Sequence, residues 1–264
     1  MKIKIMAIGD VVGIPGRDAL KGWLKKAKRD QEIEFAVVNG ENIAGGSGLT
    51  PSLYEDLLAS GADAVTSGDH AYKKKEIIPL LSNGCRIVRP CNYPEAAAGV
   101  GFQVFESRGG FKIGVAQVQG RVFMNTPADN PFIAAERAVE ALRRHTNVVV
   151  LDVHAEATSE KVALGWLLDG RVSLIFGTHT HIPTADETVL PKGTAFISDV
   201  GMTGPYDSIL GRDKDKVLRH FMTTMPMPFD VADKDVRISG CVATVDLDSG
   251  HASSCERFQV RVGA

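Results

Sequence analysis

The chain has 264 residues, enough for one large α/β domain or two small ones. Its composition, 44% hydrophobic and 23% charged, is typical of a globular protein with a sizeable core. A net charge of −2 excludes a general attraction to nucleic acid or to membrane surfaces. No apolar run approaches the roughly 20 residues that span a bilayer, and the apolar N-terminal run is too short for a signal peptide. We therefore expect a cytoplasmic protein that binds neither membranes nor, stably, nucleic acid.

Short runs rich in Val and Ile alternate with helical patterns, which predicts an α/β fold whose strands are covered on both faces. The predicted strands are Ile3–Ile8, Phe35–Val38, Ala64–Thr66, Arg86–Val88, Lys112–Val118, Val148–Val153, Val172–Phe176 and Thr194–Ser198. Two further extended segments, Arg237–Asp246 and Glu256–Val262, flank a turn at Asp248-Ser249-Gly250. This pattern predicts a hairpin and therefore an antiparallel end to the sheet.

Helical spacing of apolar residues predicts four helices between the strands. They are Arg17–Arg29, which follows a predicted turn at Gly13–Gly16, and Ser52–Ala59, Pro131–His145 and Ser159–Leu168. Residues 199–235 are rich in Gly, Pro and Met, and we predict either a long loop or a cap over a functional site. The four cysteines, Cys85, Cys91, Cys241 and Cys255, form no CxxC pair. They are therefore predicted to be reduced structural thiols rather than a zinc knuckle or a nucleophile.

Five segments place metal-binding side chains at or just after the end of a predicted strand. They are Gly9-Asp10, Asn39-Gly40-Glu41-Asn42, Gly68-Asp69-His70, Asp152-Val153-His154 and Gly177-Thr178-His179-Thr180-His181. Because functional sites of open α/β sheets lie in the crevice outside the carboxyl ends of the strands, these segments are predicted to converge. The glycines suit the sharp turns that such strand ends require.

Each segment alone has a simpler interpretation. Asp10 alone would be a turn residue, Asn39–Asn42 a polar turn, and His154 a structural histidine. His179 and His181 are a stronger signal, because alternate residues of an extended segment point the same way and would bring two imidazoles to one ion. The coincidence of five such segments favours a shared metal site.

The donor set predicts the class of metal. Carboxylate, amide and imidazole groups without thiolate suit Fe, Mn, Zn or Co. Seven candidate ligands are too many for one ion that keeps an open position, but they suit two ions that share a bridging carboxylate. Two metals about 3.5–4 Å apart generate a hydroxide and support in-line displacement at phosphorus.

Seven ordered motifs resemble the signature of the YmdB-like family of calcineurin-type metallophosphoesterases, and they cover nearly the whole chain. They are Gly9-Asp10-Val11-Val12-Gly13 with Gly16-Arg17, Asn39-Gly40-Glu41-Asn42, Thr66-Ser67-Gly68-Asp69-His70, Arg89-Pro90-Cys91-Asn92-Tyr93-Pro94, His154–Lys161, Gly177-Thr178-His179-Thr180-His181 and Asp199-Val200-Gly201-Met202-Thr203-Gly204. The resemblance implies one α/β-sandwich domain over residues 1–264, with a metal site at the C-terminal ends of the strands. It also implies a di-iron or di-manganese centre, with zinc as an alternative, and phosphodiesterase activity on small substrates such as 2′,3′-cyclic nucleotides.

The resemblance also implies individual roles. It assigns one metal to Asp10, Glu41, Asn42 and His181, and a second metal to Glu41 as the bridge together with Asp69, His154 and His179. His70 is implied as the general acid or transition-state stabiliser. Asn92 and the Gly201–Gly204 loop are predicted substrate contacts. The sequence is compatible with a monomer or a homo-oligomer.

The chain departs from the family pattern near His70. The family has Gly-Asn-His followed by Trp-Asp, whereas this chain has Asp69, then Tyr72-Lys73. The extra negative charge of Asp69 predicts either trivalent or mixed-valence iron or slow turnover at neutral pH. Lys73 is open to three interpretations: loss of a partner that orients His70, attraction of phosphate, or a solvated basic turn. These departures sustain an alternative function, a metal- and nucleotide-binding regulatory protein with little turnover that acts through a protein or RNA partner.

Overall fold

The computed structural model describes residues 1–262, and within them the chain forms thirteen strands and seven helices. The strands are β1 (Lys2–Ile8), β2 (Ile33–Asn39), β3 (Ala64–Thr66), β4 (Ile87–Val88), β5 (Phe102–Glu106), β6 (Lys112–Gln119), β7 (Val149–His154), β8 (Leu174–Thr178), β9 (Thr188–Val189), β10 (Ala195–Ile197), β11 (Gly204–Pro205), β12 (Val236–Asp246) and β13 (Ala252–Arg261). The helices are α1 (Gly13–Leu20), α2 (Trp23–Asp30), α3 (Pro51–Ser60), α4 (Ile78–Leu81, after a 3₁₀ turn at Lys75–Ile77), α5 (Pro131–Arg143), α6 (Thr158–Leu168) and α7 (Lys214–Thr223).

The strands form two mixed sheets. In the first sheet β1, β2, β3 and β4 are parallel neighbours, and β12 runs antiparallel to β1 with β13 antiparallel on its other side. The second sheet has the order β5-β6-β7-β8-β10-β9, in which only the two outer strands are antiparallel. The β12–β13 pairing confirms the predicted hairpin.

Alternation of apolar side chains along the strands explains the layering. Ile3, Ile5 and Ala7 of β1 belong to a buried cluster between the two sheets, whereas Met6 and Ile8 pack with the helices on the outer face. A third cluster buries α5 and α6 against the outer face of the second sheet. The result is a helix–sheet–sheet–helix sandwich, and both faces of the inner strands are covered as predicted.

The prediction of one helix over Arg17–Arg29 was wrong. Two helices, α1 and α2, occupy this region, and Gly22 between them has φ of +77°, a left-handed conformation that a continuous helix cannot contain. The predicted turn at Gly13–Gly16 is instead the first turn of α1. There Gly16 packs against the carbonyl of Thr203 too closely for a side chain.

Residues 199–235, called the cap segment below, are more regular than a loop. They contain β11 and α7, and α7 begins where the Asp213 carboxylate accepts a hydrogen bond of 3.0 Å from the backbone N–H of Lys216. The short strands β5, β9 and β11 were also not predicted. All eight strands predicted in the first 200 residues overlap observed strands.

None of the helices in residues 1–262 combines the length and the apolar character needed to cross a membrane. The single domain predicted for residues 1–264 extends into residues 263–264, which lie outside the described residues. That assignment stays a prediction.

Candidate metal centre

The predicted ligands lie at the carboxyl ends of strands from both sheets. Asp10, Glu41, Asn42 and Asp69 follow β1, β2 and β3 of the first sheet, and His154, His179 and His181 end or follow β7 and β8 of the second. Four of these residues form a tight group. One ligand atom each from Glu41, Asp69, His154 and His179 lies within 4.8 Å of the others, and this is the set predicted for the second metal.

The buried His154 lies at the middle of this group. Its Nε2 is 3.0 Å from Asp69 Oδ1, 3.3 Å from Glu41 Oε1 and 3.2 Å from His179 Nδ1. Burial alone would raise the pKa of Glu41, but the charge of His154 and hydrogen bonds from His154 and His70 lower that pKa to about 2. Burial is likewise outweighed at Asp69, where hydrogen bonds from His154 and His179 hold the pKa well below its usual range. These carboxylates are ionised and attract positive charge.

The set predicted for the first metal contains oxygens that lack protein partners. Asp10 Oδ1 and Asn42 Oδ1 are buried and accept no hydrogen bond from any described residue. Asn42 Nδ2 donates to the carbonyl of Gly46 at 3.3 Å, which leaves its Oδ1 free, and Asp10 Oδ1 is 3.9 Å from His181 Nε2. Burying such an oxygen unpaired costs about 1–3 kcal/mol, which a bound cation would offset. The residues present therefore fit a metal at this position.

His179 and His181 do not lie on an extended segment, contrary to the prediction. Their φ angles are +94° and +66°, in the left-handed region that non-glycine residues rarely adopt, at a cost of about 1–3 kcal/mol each. Both imidazoles nevertheless line the same pocket. Strained ligand-bearing backbone of this kind persists only where surrounding contacts hold it.

A buried ion pair supplies those contacts. Lys161 is 2% exposed, and its Nζ donates to the Thr178 carbonyl at 2.8 Å and to Asp199 Oδ2 at 2.7 Å. The same Asp199 oxygen accepts from Thr180 Oγ1 at 2.7 Å. The pair thus forms hydrogen bonds with Thr178, which precedes His179, and with Thr180, which lies between the two histidines. Sequence reasoning missed this role, although Lys161 and Asp199 both lie in the family-like motifs.

Each of the three candidate ligand histidines is oriented through its other ring nitrogen. His154 Nδ1 lies 2.8 Å from Thr178 Oγ1, which donates to Asp152 Oδ1 at 2.7 Å, so Nδ1 carries the proton and Nε2 faces the ligand group. His179 Nε2 lies 3.2 Å from Glu156 Oε2, and His181 Nδ1 donates to the Leu210 carbonyl at 3.0 Å.

Asp152 therefore helps to orient His154, through its hydrogen bond with Thr178. It is buried, and burial raises its pKa to about 6 against the opposing influence of His154, Thr66 and Thr178. Neither Asp152 nor Glu156 was singled out from the sequence as a supporting residue. The signal available was their position two residues before and two residues after His154.

His70 lies beside the ligands, with its side chain 28% exposed to the same pocket. Its Nδ1 is 3.3 Å from Glu41 Oε1, and the proximity of this carboxylate raises the pKa of His70. A histidine that is protonated and accessible can supply a proton to a leaving group. Of the residues that depart from the family pattern, Asp69 lies within the ligand group, and the Tyr72 hydroxyl donates to the Ala98 carbonyl at 2.6 Å.

The side chain of Asn92 forms hydrogen bonds with backbone groups. Its Nδ2 donates to the carbonyls of Gln119 and Asp129 at 2.7 and 3.0 Å, and its Oδ1 accepts from the Gln119 N–H at 3.0 Å. Substrate binding by Asn92 stays a prediction, and these contacts support a bracing role instead. The Gly201–Gly204 loop also forms a hydrogen bond within the protein, because Met202 N donates to the His181 carbonyl at 3.1 Å.

A pocket of about 360 Å³ opens in front of the ligands. One side carries Glu41, Asn42, His70, His179 and His181, and the other side is formed by the cap segment. The prediction that residues 199–235 are either a loop or a cap is thereby resolved in favour of a wall of the site.

Comparison with known proteins agrees with the motifs. The family described as YmdB-like protein matches residues 6–258. The chain belongs to the YmdB-like family. It is 45% identical to the 2′,3′-cyclic-nucleotide 2′-phosphodiesterase of Bacillus subtilis strain 168 over 258 residues, which cover 98% of this chain and 97% of that protein.

Two solved structures of other proteins share the fold. A structure described as a novel phosphatase from Mycoplasma pneumoniae has a TM-score of 0.91 and 33% identity, covering 99% of this chain and 94% of that one. A hypothetical protein from Thermus thermophilus has a TM-score of 0.89 and 40% identity, covering 98% of this chain and 99% of that one. The resemblance to the YmdB-like family and the predicted α/β sandwich are both confirmed.

Proposed function

We propose that this YmdB-like protein is a metal-dependent phosphodiesterase that hydrolyses small phosphodiesters such as 2′,3′-cyclic nucleotides. The observation that carries the proposal is the group of Glu41, Asp69, His154 and His179, whose ligand atoms lie within 4.8 Å of one another beside an open pocket. The cyclic-nucleotide phosphodiesterase of Bacillus subtilis, similar over almost the whole chain, supports the choice of substrate.

We propose that the site holds two metal ions. Asp10, Asn42 and His181 would hold one ion and Asp69, His154 and His179 the other, with Glu41 shared between them. When bound, such a pair supplies an activated water and positive charge for displacement at phosphorus. The mixture of carboxylate, amide and imidazole donors supports iron or manganese, with zinc as an alternative. Three carboxylates among the ligands favour iron in a trivalent state in one position.

The chain's own groups prepare the reaction. His70 is placed to give a proton to the leaving oxygen, since it lines the pocket and the nearby Glu41 carboxylate raises its pKa. Glu156, Thr178 and the Lys161–Asp199 pair hold the histidine rings in one orientation. Preorganisation of this kind lowers the cost of reaching the transition state.

Hydrolysis of 2′,3′-cyclic AMP and bis-p-nitrophenyl phosphate by purified protein with Mn²⁺ or Fe²⁺ tests the proposal. We expect metal-dependent turnover that falls roughly 10²–10⁴-fold in a His70→Ala variant. Metal analysis should find the same two ions in this variant as in the wild type. His145→Ala, at an exposed position after α5, is the matched control and should keep full activity.

Two bound metals without turnover of either substrate would contradict the proposal. That outcome would favour the regulatory protein, which binds metals and a nucleotide without hydrolysing it.

A further inference from the structure

The wall of the pocket that faces the metal ligands is apolar and aromatic. Apart from Ile209 and Arg212, the residues of the cap segment that line the pocket are Leu210, Val217, Phe221 and Phe229, and we call these four residues the apolar wall. Val217 and Phe221 lie four residues apart on α7 and so share one face of that helix. None of the four side chains carries a hydrogen-bonding group, so the wall has no role in holding metals.

Two aromatic rings of the wall remain accessible. Phe221 is 71% exposed and Phe229 is 42% exposed, although both line a concave site. Accessible apolar surface inside a pocket marks a place where a ligand is buried. The ring of Phe229 is fixed by an edge-on contact with His220, whose ring centroid lies 5.4 Å away.

Hydrogen bonds connect the segment that carries the apolar wall to the candidate metal site. The Leu210 carbonyl accepts a hydrogen bond of 3.0 Å from Nδ1 of the ligand histidine His181. Arg212 joins the cap segment to the loop after Glu41 and Asn42, because its guanidinium donates to the carbonyls of Gly45, Gly46 and Phe229. These hydrogen bonds join the cap segment to the loops that carry the candidate metal ligands.

Size and charge narrow the group that the apolar wall can accept. The pocket volume of about 360 Å³ lies in the range of roughly 300–1,000 Å³ usual for small-molecule sites. A 2′,3′-cyclic nucleotide whose phosphate lies at the candidate metal ligands leaves its base to be placed, and the apolar wall lines the same pocket. The four side chains of the apolar wall carry no charge, so the wall itself offers no counter-ion to a second anionic group.

We propose that Phe221 and Phe229 form a stacking site for the nucleobase of a substrate whose phosphodiester lies at the metal ligands. The inference rests on the proposed phosphodiesterase function and extends it from the phosphate to the rest of the nucleotide. Stacking on an aromatic ring suits every base, because each base has a π-face. The four side chains of the apolar wall have no donor or acceptor that could distinguish one base from another. We therefore expect the 2′,3′-cyclic phosphates of adenosine, guanosine, cytidine and uridine to be hydrolysed with similar kcat/KM.

The test compares two substrates that differ only in the base. One is 2′,3′-cyclic AMP, and the other is the 2′,3′-cyclic phosphate of 1-O-methylribose, which has no base. Phe221→Ala and Phe229→Ala should each raise KM for cyclic AMP by roughly 5- to 150-fold, the loss expected for one stacked base. They should leave KM for the base-free substrate within about twofold, because this substrate has no base that could stack on either ring.

Matched variants separate stacking from simple disturbance of the helix. Phe221→Trp should restore the KM for cyclic AMP, because it retains an aromatic face. Met222→Ala changes the neighbouring residue, which is 84% exposed and not among those that line the pocket, and should have no effect. Metal content and the thermal midpoint should be unchanged in all four variants. Equal effects on both substrates, or unchanged KM for cyclic AMP in both Phe→Ala variants, would overturn the stacking site.

Binding measured by calorimetry tests the stacking site even if the proposed phosphodiesterase function fails. If the wild type hydrolyses neither cyclic phosphate, the phosphodiesterase proposal fails, and binding decides the stacking site. Adenosine 3′-phosphate that binds the metal-loaded wild type more tightly than Phe221→Ala, with ribose 5-phosphate binding both equally, would support it. Equal affinity of adenosine 3′-phosphate for both proteins would reject it.

Discussion

At the scale of single residues, the Lys161–Asp199 pair is the most consequential contact outside the ligand set. A charge so deeply buried is tolerated only when its partners remain, and removing one partner of such a pair costs about 3–5 kcal/mol. Because this pair holds the strained backbone around His179 and His181, its loss should weaken metal binding as well as stability.

Lys161→Met tests this connection. We expect the thermal midpoint to fall by roughly 6–20 °C, from the 3–5 kcal/mol above and about 2–4 °C per kcal/mol. We also expect the affinity for Mn²⁺ to fall roughly 10–100-fold, as for loss of groups that orient ligands. Lys192→Met replaces an exposed lysine and is the control for loss of one positive charge. Unchanged Mn²⁺ affinity despite lower stability would show that the pair is structural only.

At the scale of elements, Gly22 decides where one helix ends and the next begins. Its φ of +77° separates α1 from α2, and a side chain built there would meet no atom within 4 Å. Strain alone should therefore set the cost of Gly22→Ala, about 1–2 kcal/mol. Urea unfolding measures this cost directly, and Gly22→Asn should cost about as much, because ψ of −31° places Gly22 outside the left-handed helical region that asparagine tolerates. A Gly22→Ala variant as stable as the wild type would contradict the argument.

The same break shows why helix boundaries were less predictable than the strands. Leu20, Trp23 and Leu24 have a spacing compatible with one helix, so apolar periodicity does not reveal the left-handed residue between them. Strands were predictable because Val-rich runs buried on both faces are local signals. Helix α7 was missed because Gly, Pro and Met surround it and its apolar face meets the pocket rather than a core.

The candidate site was predictable to the extent that its residues adjoin strand ends. Glu41 and Asp69 could be placed together because the parallel strands β2 and β3 bring their carboxyl ends to one edge of the first sheet, whereas His154 joins them through the packing of the second sheet. The partners of these ligands were not predictable in the same way. Lys161 and Asp199 are distant in sequence, and only tertiary packing brings them together, so local pattern carries no information about the pairing.

At the scale of the whole molecule, the candidate ligand set contains residues from both sheets. The first sheet contributes carboxylate and amide oxygens, and the second contributes three imidazoles. Without a cation, the ionised Glu41 and Asp69 and the unpaired oxygens of Asp10 and Asn42 share one buried region. Metal binding should therefore stabilise the packing of one sheet on the other, and not only the pocket.

Thermal unfolding in EDTA and in Mn²⁺ measures this effect. A ligand that binds only the folded state at 100 times its Kd adds about 2.7 kcal/mol, which corresponds to roughly 5–11 °C in the thermal midpoint. The gain should be lost in His154→Ala, which removes a ligand from the second sheet, and in Asp10→Ala, which removes one from the first. His251→Ala, exposed and outside the ligand set, should keep the full gain. A Mn²⁺-dependent rise of equal size in all four proteins would mean that the metal acts elsewhere, because a centre built from both sheets requires both ligands.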